Sequence, residues 1–92
     1  MHEAYNNLLK SFDKAIKRKE ENKFNKEDVK EIYAAASKLF DGNINLEQSQ
    51  IEQVRDKLIH LTEGRLNKSN AMKKLQGTSR AEAIQSVLLS TL

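Results

Sequence analysis

The stretch FNKEDVKEIYAAASKLFDG, residues 24–42, carries most of the signals that define an α-helix in a sequence. Asn25 occupies an N-cap position, and Asp28 is placed three residues later to complete a capping box. Phe24 and Val29 have the spacing of a hydrophobic staple. Gly42 stands where a left-handed residue commonly ends a helix. A helix over residues 26–40 is predicted, and its apolar stripe consists of Val29, Ile32, Tyr33, Ala36, Leu39 and Phe40.

Composition extends this prediction to the whole chain. The 92 residues contain no proline and no cysteine, and 32% of them are charged. This length suits one domain with a single modest core, and scarce β-branched and aromatic residues favour helices over a sheet. We therefore predict an all-α protein, with residues 1–92 forming one small bundle of four or five mostly antiparallel helices.

A first helix is predicted over residues 2–21, joined to the central one by a short polar link. So short a link makes the two helices antiparallel neighbours. The apolar stripe of the first helix consists of Tyr5, Leu8, Leu9, Phe12, Ala15 and Ile16. We expect the helix over residues 26–40 to lie at the centre of the bundle, ringed by three other stripes and burying Ile32, Tyr33, Ala36 and Leu39.

A third helix is predicted over residues 46–63, since Asn45 and Gln48 form a second capping-box pattern. Gly64 is a candidate end for it. The alternative is one bent helix running to Gln76, because Met72 and Leu75 remain in phase with the earlier apolar stripe, and an internal glycine costs only about 1 kcal/mol relative to alanine. The polar residues Asn67, Ser69 and Asn70 favour the break. The stripe of the third helix consists of Ile51, Val54, Leu58 and Leu61.

The last helix is predicted over residues 79–91, after a stop at Gly77. Thr78 or Ser79 caps it, and Ser79 with Glu82 forms a third capping-box pattern. Ile84, Val87, Leu88 and Leu92 share one face, and Leu89 widens it. We expect the surplus apolar strip to contact another protein or to close a homodimer, and its residues are Leu88, Leu89 and Leu92.

Charge is unevenly distributed along the chain. Residues 1–63 carry eleven Lys or Arg and twelve Asp or Glu, whereas residues 64–92 carry five basic residues and Glu82 alone. Such asymmetry suggests a nucleic-acid or acidic partner. In a helix-turn-helix arrangement, Arg80, Gln85 and Ser86 would face base edges, although the spacing around Gly77 does not fit a compact motif of this kind. The candidate residues for nucleic-acid or acidic-partner binding are Arg65, Lys68, Lys73, Lys74, Arg80 and Gln85.

The segment DGNINLEQSQIE, residues 41–52, resembles an EF-hand calcium loop. It departs from that pattern at its sixth position, where Leu46 replaces the glycine that makes the sharp turn. The resemblance implies a weak calcium site, whereas helix ends at Gly42 and Asn45 explain the same residues. We predict no metal site and no cofactor. The residues at the ligand positions are Asp41, Asn43, Asn45, Glu47, Ser49 and Glu52.

No recognised catalytic motif is present in the sequence. There is no HExxH pair and no glycine-rich phosphate loop, and the histidines His2 and His60 are far apart. We therefore predict a non-enzymatic protein-interaction module, such as a small adaptor, inhibitor or immunity-type protein of bacterial, phage or mobile-element origin. The alternative is a nucleic-acid-binding regulator that uses the basic C-terminal third. The N-terminus lacks the basic start and apolar run of a signal peptide, so a cytoplasmic protein without a membrane partner is expected.

Overall fold

The computed structural model describes residues 3–41, 46–76 and 79–92. Within those ranges the chain forms five α-helices and no β-strand, which confirms the predicted all-α bundle. The helices are α1 (Glu3–Glu20), α2 (Lys26–Phe40), α3 (Gln48–Leu61), α4 (Lys68–Gln76) and α5 (Arg80–Leu89). None of these helices combines the length and the apolar character needed to cross a membrane.

Helix α2 begins as its sequence predicts. The Asn25 side chain accepts hydrogen bonds from the backbone N–H groups of Glu27 (2.9 Å) and Asp28 (3.4 Å). In return, the Asp28 carboxylate accepts the backbone N–H of Asn25 at 2.9 Å. The capping box is therefore complete, and it satisfies N–H groups that have no partner inside the helix. The helix ends at Phe40 with Asp41 as its C-cap, while Gly42 lies outside the described residues.

One hydrophobic core receives side chains from all five helices. Each large side chain buried there stabilises the fold by about 1.5–3 kcal/mol. Tyr33, which was predicted to be buried, is only partly buried at the edge of the core. The fully buried residues include Leu8 and Phe12 of α1, Ile32 and Leu39 of α2, Val54, Leu58 and Leu61 of α3, Ala71 of α4, and Ile84 and Leu88 of α5.

The helices are arranged as a ring around this core. Helix α1 packs against α2 and α3, α2 also packs against α5, and α4 packs against α3 and α5. The molecule measures 34 × 26 × 20 Å, and one helix with its side chains is about 10–12 Å across. A structure only two helices thick cannot enclose a helix on all sides. The predicted central position of α2 is therefore wrong, because α2 has two main neighbours and an exposed outer face.

Ion pairs and hydrogen bonds between helices show their directions. Lys14 pairs with Glu31 and Arg18 with Asp28, so α1 and α2 run antiparallel as predicted. Helix α3 instead runs in the same direction as α1. The contacts that show this are Tyr5 to Gln53 (2.8 Å), Asp13 to Lys57 (2.6 Å) and Lys19 to Glu63 (3.9 Å).

Helix α3 ends at Leu61, which confirms the break before α4 and excludes one bent helix running to Gln76. Glu63 and Gly64 both have positive φ, at 54° and 77°. The Glu63 N–H donates to the carbonyl oxygen of His60, and the Gly64 N–H donates to that of Ile59, both at 3.1 Å. This is the hydrogen-bond pattern of a Schellman motif, with Glu63 at the position that usually favours glycine. Asn67 then caps α4 by accepting the Asn70 N–H at 2.8 Å.

The starts of α3 and α5 differ from their predictions. The N-cap of α3 is Glu47, whose backbone N–H donates to the Gln50 side chain at 2.9 Å. The predicted cap, Asn45, lies outside the described residues, and the helix begins two positions later than predicted. Ser79 does hold the N-cap position of α5, but its side chain makes no capping hydrogen bond. Its predicted capping-box partner, Glu82, instead accepts the Tyr33 hydroxyl at 3.3 Å. The predicted stop at Gly77 and the alternative cap Thr78 lie outside the described residues.

Candidate functional site

Four of the six predicted binding residues form an exposed cationic region around α4, which we call the basic surface: Arg65, Lys68, Lys73 and Lys74. Arg65 lies in the link between α3 and α4, Lys68 begins α4, and the other two lie in its last turn. All four are exposed, and none pairs with an acidic side chain within the described ranges. Sequence explains this, because Glu82 is the one acidic residue after residue 63.

The orientation of α4 places polar side chains on its outer face. Ala71 and Leu75 are buried and fix the inward side of the helix. At 100° per residue, Ser69 and Lys73 lie on the opposite side, where both are exposed. Exposed lysines also occur elsewhere in the fold, but those on α1 and α2 share their helices with several carboxylates. The basic surface differs from them in having no acidic residue on its own helix.

The two remaining predicted residues, Arg80 and Gln85, are partly buried on α5. The Arg80 guanidinium carbon lies 4.3 Å from the centroid of the Phe40 ring, within the range of a cation–π interaction. Its Nε is buried and has no hydrogen-bond partner among the described residues. Arg80 on α5 is thus held against Phe40 of α2. The side chains that α5 exposes are Glu82, Ser86 and Leu89, of which the first would repel a phosphate backbone.

The apolar strip predicted at Leu88, Leu89 and Leu92 needs one correction. Leu88 has no exposed surface, because it follows Ile84 by four positions and shares its inward face. It packs in the core and is not available to a partner. Leu89 and Leu92 are 43% and 51% exposed, and they are the exposed large hydrophobic residues of the described chain. The strip therefore consists of Leu89, the last residue of α5, and Leu92, three residues beyond it.

Leu92 borders an open groove of about 260 Å³, which we call the end groove. It is lined by Lys19, Asn22, Phe24, Glu63, Thr91 and Leu92. These residues are far apart in the sequence, since they come from the last turn of α1 and the link after it, the turn after α3 and the segment after α5. Asn22 was the local signal in the sequence, because asparagine is common at the left-handed position that follows a helix. Glu63 also has positive φ but is not a residue type that indicates it.

Helix ends give the end groove its shape. The Asn22 N–H donates to the Lys19 carbonyl (3.0 Å) and the Lys23 N–H to the Arg18 carbonyl (2.7 Å), so α1 also ends in a Schellman motif. The Lys19 ammonium lies 3.9 Å from the Glu63 carboxylate and 5.3 Å from the centroid of the Phe24 ring. A smaller depression of about 90 Å³ lies on the other side of this ion pair, beside Ile16, Glu20, His60 and Leu61. The groove thus offers an aromatic wall and a lysine paired with a glutamate.

The calcium loop implied by residues 41–52 is not formed over its second half. Helix α3 begins at Gln48, the eighth position of that loop, so Ser49 and Glu52 lie within a helix. Glu52 accepts a hydrogen bond from the Gln48 side chain at 3.4 Å. Asn43 and Asn45 lie outside the described residues. Among the described residues, no group of three or more His, Asp or Glu side chains is placed to hold a metal ion.

Tyr5 of α1 is a buried ionisable group. Its hydroxyl donates to the Gln53 side chain at 2.8 Å. Burial raises the pKa of Tyr5 above its ordinary value of 10.0, and the nearby positive charge of Lys57 opposes that rise. The hydrogen bond ties α1 to α3. His60 is exposed on α3.

Comparisons with protein-family models, with curated proteins and with solved structures find no match for this chain. The structure therefore offers two surfaces for comparison, which are the basic surface and the end groove that Leu92 lines.

Proposed function

We propose that this protein acts by docking on another protein and does not catalyse a reaction. It would be a small cytoplasmic adaptor, inhibitor or immunity-type protein of bacterial, phage or mobile-element origin. The observation that carries the proposal is the exposure of Leu89, the last residue of α5, and of Leu92, which lies just beyond α5 and lines the end groove. The lack of cysteine suits a reducing compartment.

The energetics of burial support a docking role for the two leucines. Each has about half of its surface exposed, so a partner that covers it gains up to about 1 kcal/mol per leucine from the remaining area. Protein interfaces place apolar anchors next to pockets that accept a side chain of the partner. The end groove provides such a pocket, with Phe24 as an apolar wall and the Lys19–Glu63 ion pair as its polar part. A second copy of this chain is the alternative occupant, which would make the protein a homodimer.

A comparison of three proteins tests this proposal. Wild type, the Leu89→Ser/Leu92→Ser variant and an Ala34→Ser control are used as baits in affinity pull-downs from the native host, with quantitative mass spectrometry. Ala34 is exposed on α2, so the control changes an exposed apolar residue outside the strip. We expect one or more proteins to be retained by wild type and the control and lost from the double variant. Identical protein sets for all three baits would contradict the proposal.

Sedimentation equilibrium distinguishes the two kinds of occupant. If wild type is a dimer and the Leu89→Ser/Leu92→Ser variant is a monomer, the strip binds a second copy. If both are monomers and the pull-down identifies a specific partner, the strip binds a different protein. Circular dichroism melts of the variants provide the folding control, because both leucines are exposed and their replacement should leave the core intact.

A further inference from the structure

We infer that the basic surface binds the phosphate backbone of duplex nucleic acid without reading its base sequence. This inference concerns a surface other than the proposed docking strip. It rests on where the structure places four cations: Arg65, Lys68, Lys73 and Lys74 are exposed and have no acidic partner among the described residues. Cations that are not neutralised within the fold are available to a polyanion.

Side-chain chemistry favours phosphates over an acidic protein as the partner. Three of the four cations are lysines, which are depleted at protein–protein interfaces but serve as point-charge contacts to phosphate. The outer face of α4 adds Ser69 and Asn70, whose side chains are exposed and can donate hydrogen bonds to phosphate oxygens. The face that meets the partner is therefore rich in flexible charged and polar groups and poor in apolar anchors.

The exposed side chains of α5 argue against base readout. A recognition helix inserts its exposed side chains into the major groove. Here α5 would insert Glu82, Ser86 and Leu89, while Arg80 is held against Phe40 and Gln85 is partly buried. The Glu82 carboxylate, in the first turn of α5, would then be repelled by the phosphates on both sides of the major groove. If the DNA contacts α4 and the link before it, the Glu82 carboxylate belongs to a different helix from the one that meets the phosphates.

The number of cations fixes the expected salt dependence. Four phosphate contacts give a slope of about −3.6 for log K against log salt, from about −0.9 per contact on duplex DNA. Raising salt from about 50 to about 200 mM should then weaken binding by about 150-fold. The cations of α4 run from Lys68 to Lys74, which is about 9 Å along the helix axis at 1.5 Å per residue, so they span about three base pairs at 3.4 Å each.

Fluorescence anisotropy with a random-sequence DNA duplex of about 20 base pairs tests the inference over this salt range. Wild type should bind at about 50 mM salt with a slope near −3.6, and the Lys73→Gln/Lys74→Gln variant should have a slope near −1.8. The matched control is Lys10→Gln/Lys26→Gln, which removes two exposed lysines from α1 and α2 and changes net charge equally. We expect this control to keep the wild-type slope.

Several results would overturn the inference. One is absence of binding at about 50 mM salt with protein at about 100 µM, the weak end of ordinary non-specific affinity. Another is an equal loss of slope in the Lys10→Gln/Lys26→Gln control, which would reduce the effect to net charge. A preference above tenfold for one DNA sequence would refute backbone-only binding, and equal competition by a polyglutamate peptide would point to an acidic protein instead. Circular dichroism melts that match wild type confirm that each variant is folded.

The two proposals fail independently. The Leu89→Ser/Leu92→Ser variant should bind DNA with the wild-type slope, because neither leucine belongs to the basic surface. In turn, Lys73→Gln/Lys74→Gln should retain any protein that wild type captures through the leucine strip. If either variant lost both DNA binding and the capture of a protein partner, the basic surface and the leucine strip would belong to one binding surface.

Discussion

The Asp28 carboxylate joins the first two helices, and its removal should strongly destabilise the protein. It is almost fully buried, and both of its oxygens lie close to Arg18 Nε, at 2.8 and 3.0 Å. The same carboxylate accepts the Asn25 N–H at the start of α2. Arg18 also donates to the Lys23 carbonyl oxygen at 2.9 Å, which fixes the link between α1 and α2. The Asp28 side chain thus contributes to the cap of α2 and also binds α2 to the end of α1 through Arg18.

The cost of Asp28→Ala is the sum of two contributions. Loss of the capping interaction costs about 1 kcal/mol. The Arg18 side chain is 32% exposed and that of Asp28 is 5% exposed, so this ion pair is intermediate in burial between a surface pair and a fully buried one. Its loss therefore costs about 2 kcal/mol. The total of about 3 kcal/mol is a large share of the roughly 5–14 kcal/mol expected for a domain of this size. It corresponds to a fall in Tm of about 12–24 °C.

Urea and thermal denaturation followed by circular dichroism measure this loss. Asp28→Asn retains an oxygen for the Asn25 N–H but removes the charge, so it should lose about half as much stability as Asp28→Ala. A double-mutant cycle with Arg18→Ala should give a coupling energy of about 1–2 kcal/mol. Glu27→Ala is the matched control, because Glu27 is an adjacent, exposed acid of the same helix turn. A loss below about 1 kcal/mol for Asp28→Ala, or an equal loss for Glu27→Ala, would refute this reasoning.

Three further predictions concern the core, a helix end and pH. Ile32→Asp should abolish the cooperative melt, because Ile32 has no exposed surface and a buried unpaired charge is costly; a melt like that of wild type would contradict the packing. Glu63→Gly should stabilise the fold by about 0.5–1 kcal/mol in urea denaturation, because Glu63 has a φ of 54°, which glycine adopts without strain. The ion pair with Lys19 that this variant loses is long, at 3.9 Å, and contributes little. Gly64→Ala, at φ 77°, should destabilise it, and a change of the same sign in both variants would refute the assignment. Burial raises the pKa of Tyr5, so the stability contributed by its neutral form is present below pH 10.0 and is lost as pH rises through the folded-state pKa. As pH rises above 10.0, the free energy of unfolding should fall less for Tyr5→Phe than for wild type. Parallel profiles of unfolding free energy against pH for the two proteins would contradict this prediction.

The positions of the helices could be predicted from the sequence because their signals are local. A capping box involves residues three positions apart, and an apolar stripe recurs within four positions. Residues 24–41 accordingly fold as their sequence indicates, with Asn25 and Asp28 capping each other. The break near Gly64 was predictable for the same reason, since the residues that define it are neighbours in the chain.

Tertiary packing decided which members of each stripe are buried and which residues meet. Leu88 and Leu89 are adjacent and chemically identical, yet the first is fully buried and the second is exposed, because α5 rotates Leu88 toward α2 and α4. Helix α2 keeps one face exposed to solvent, and α1 and α3 run parallel. Both features depend on how the five helices pack around one core. The end groove likewise combines Lys19, Glu63 and Leu92, which are far apart in sequence. Periodicity specifies a helix face, but the neighbour that covers that face is fixed only when all the helices pack together.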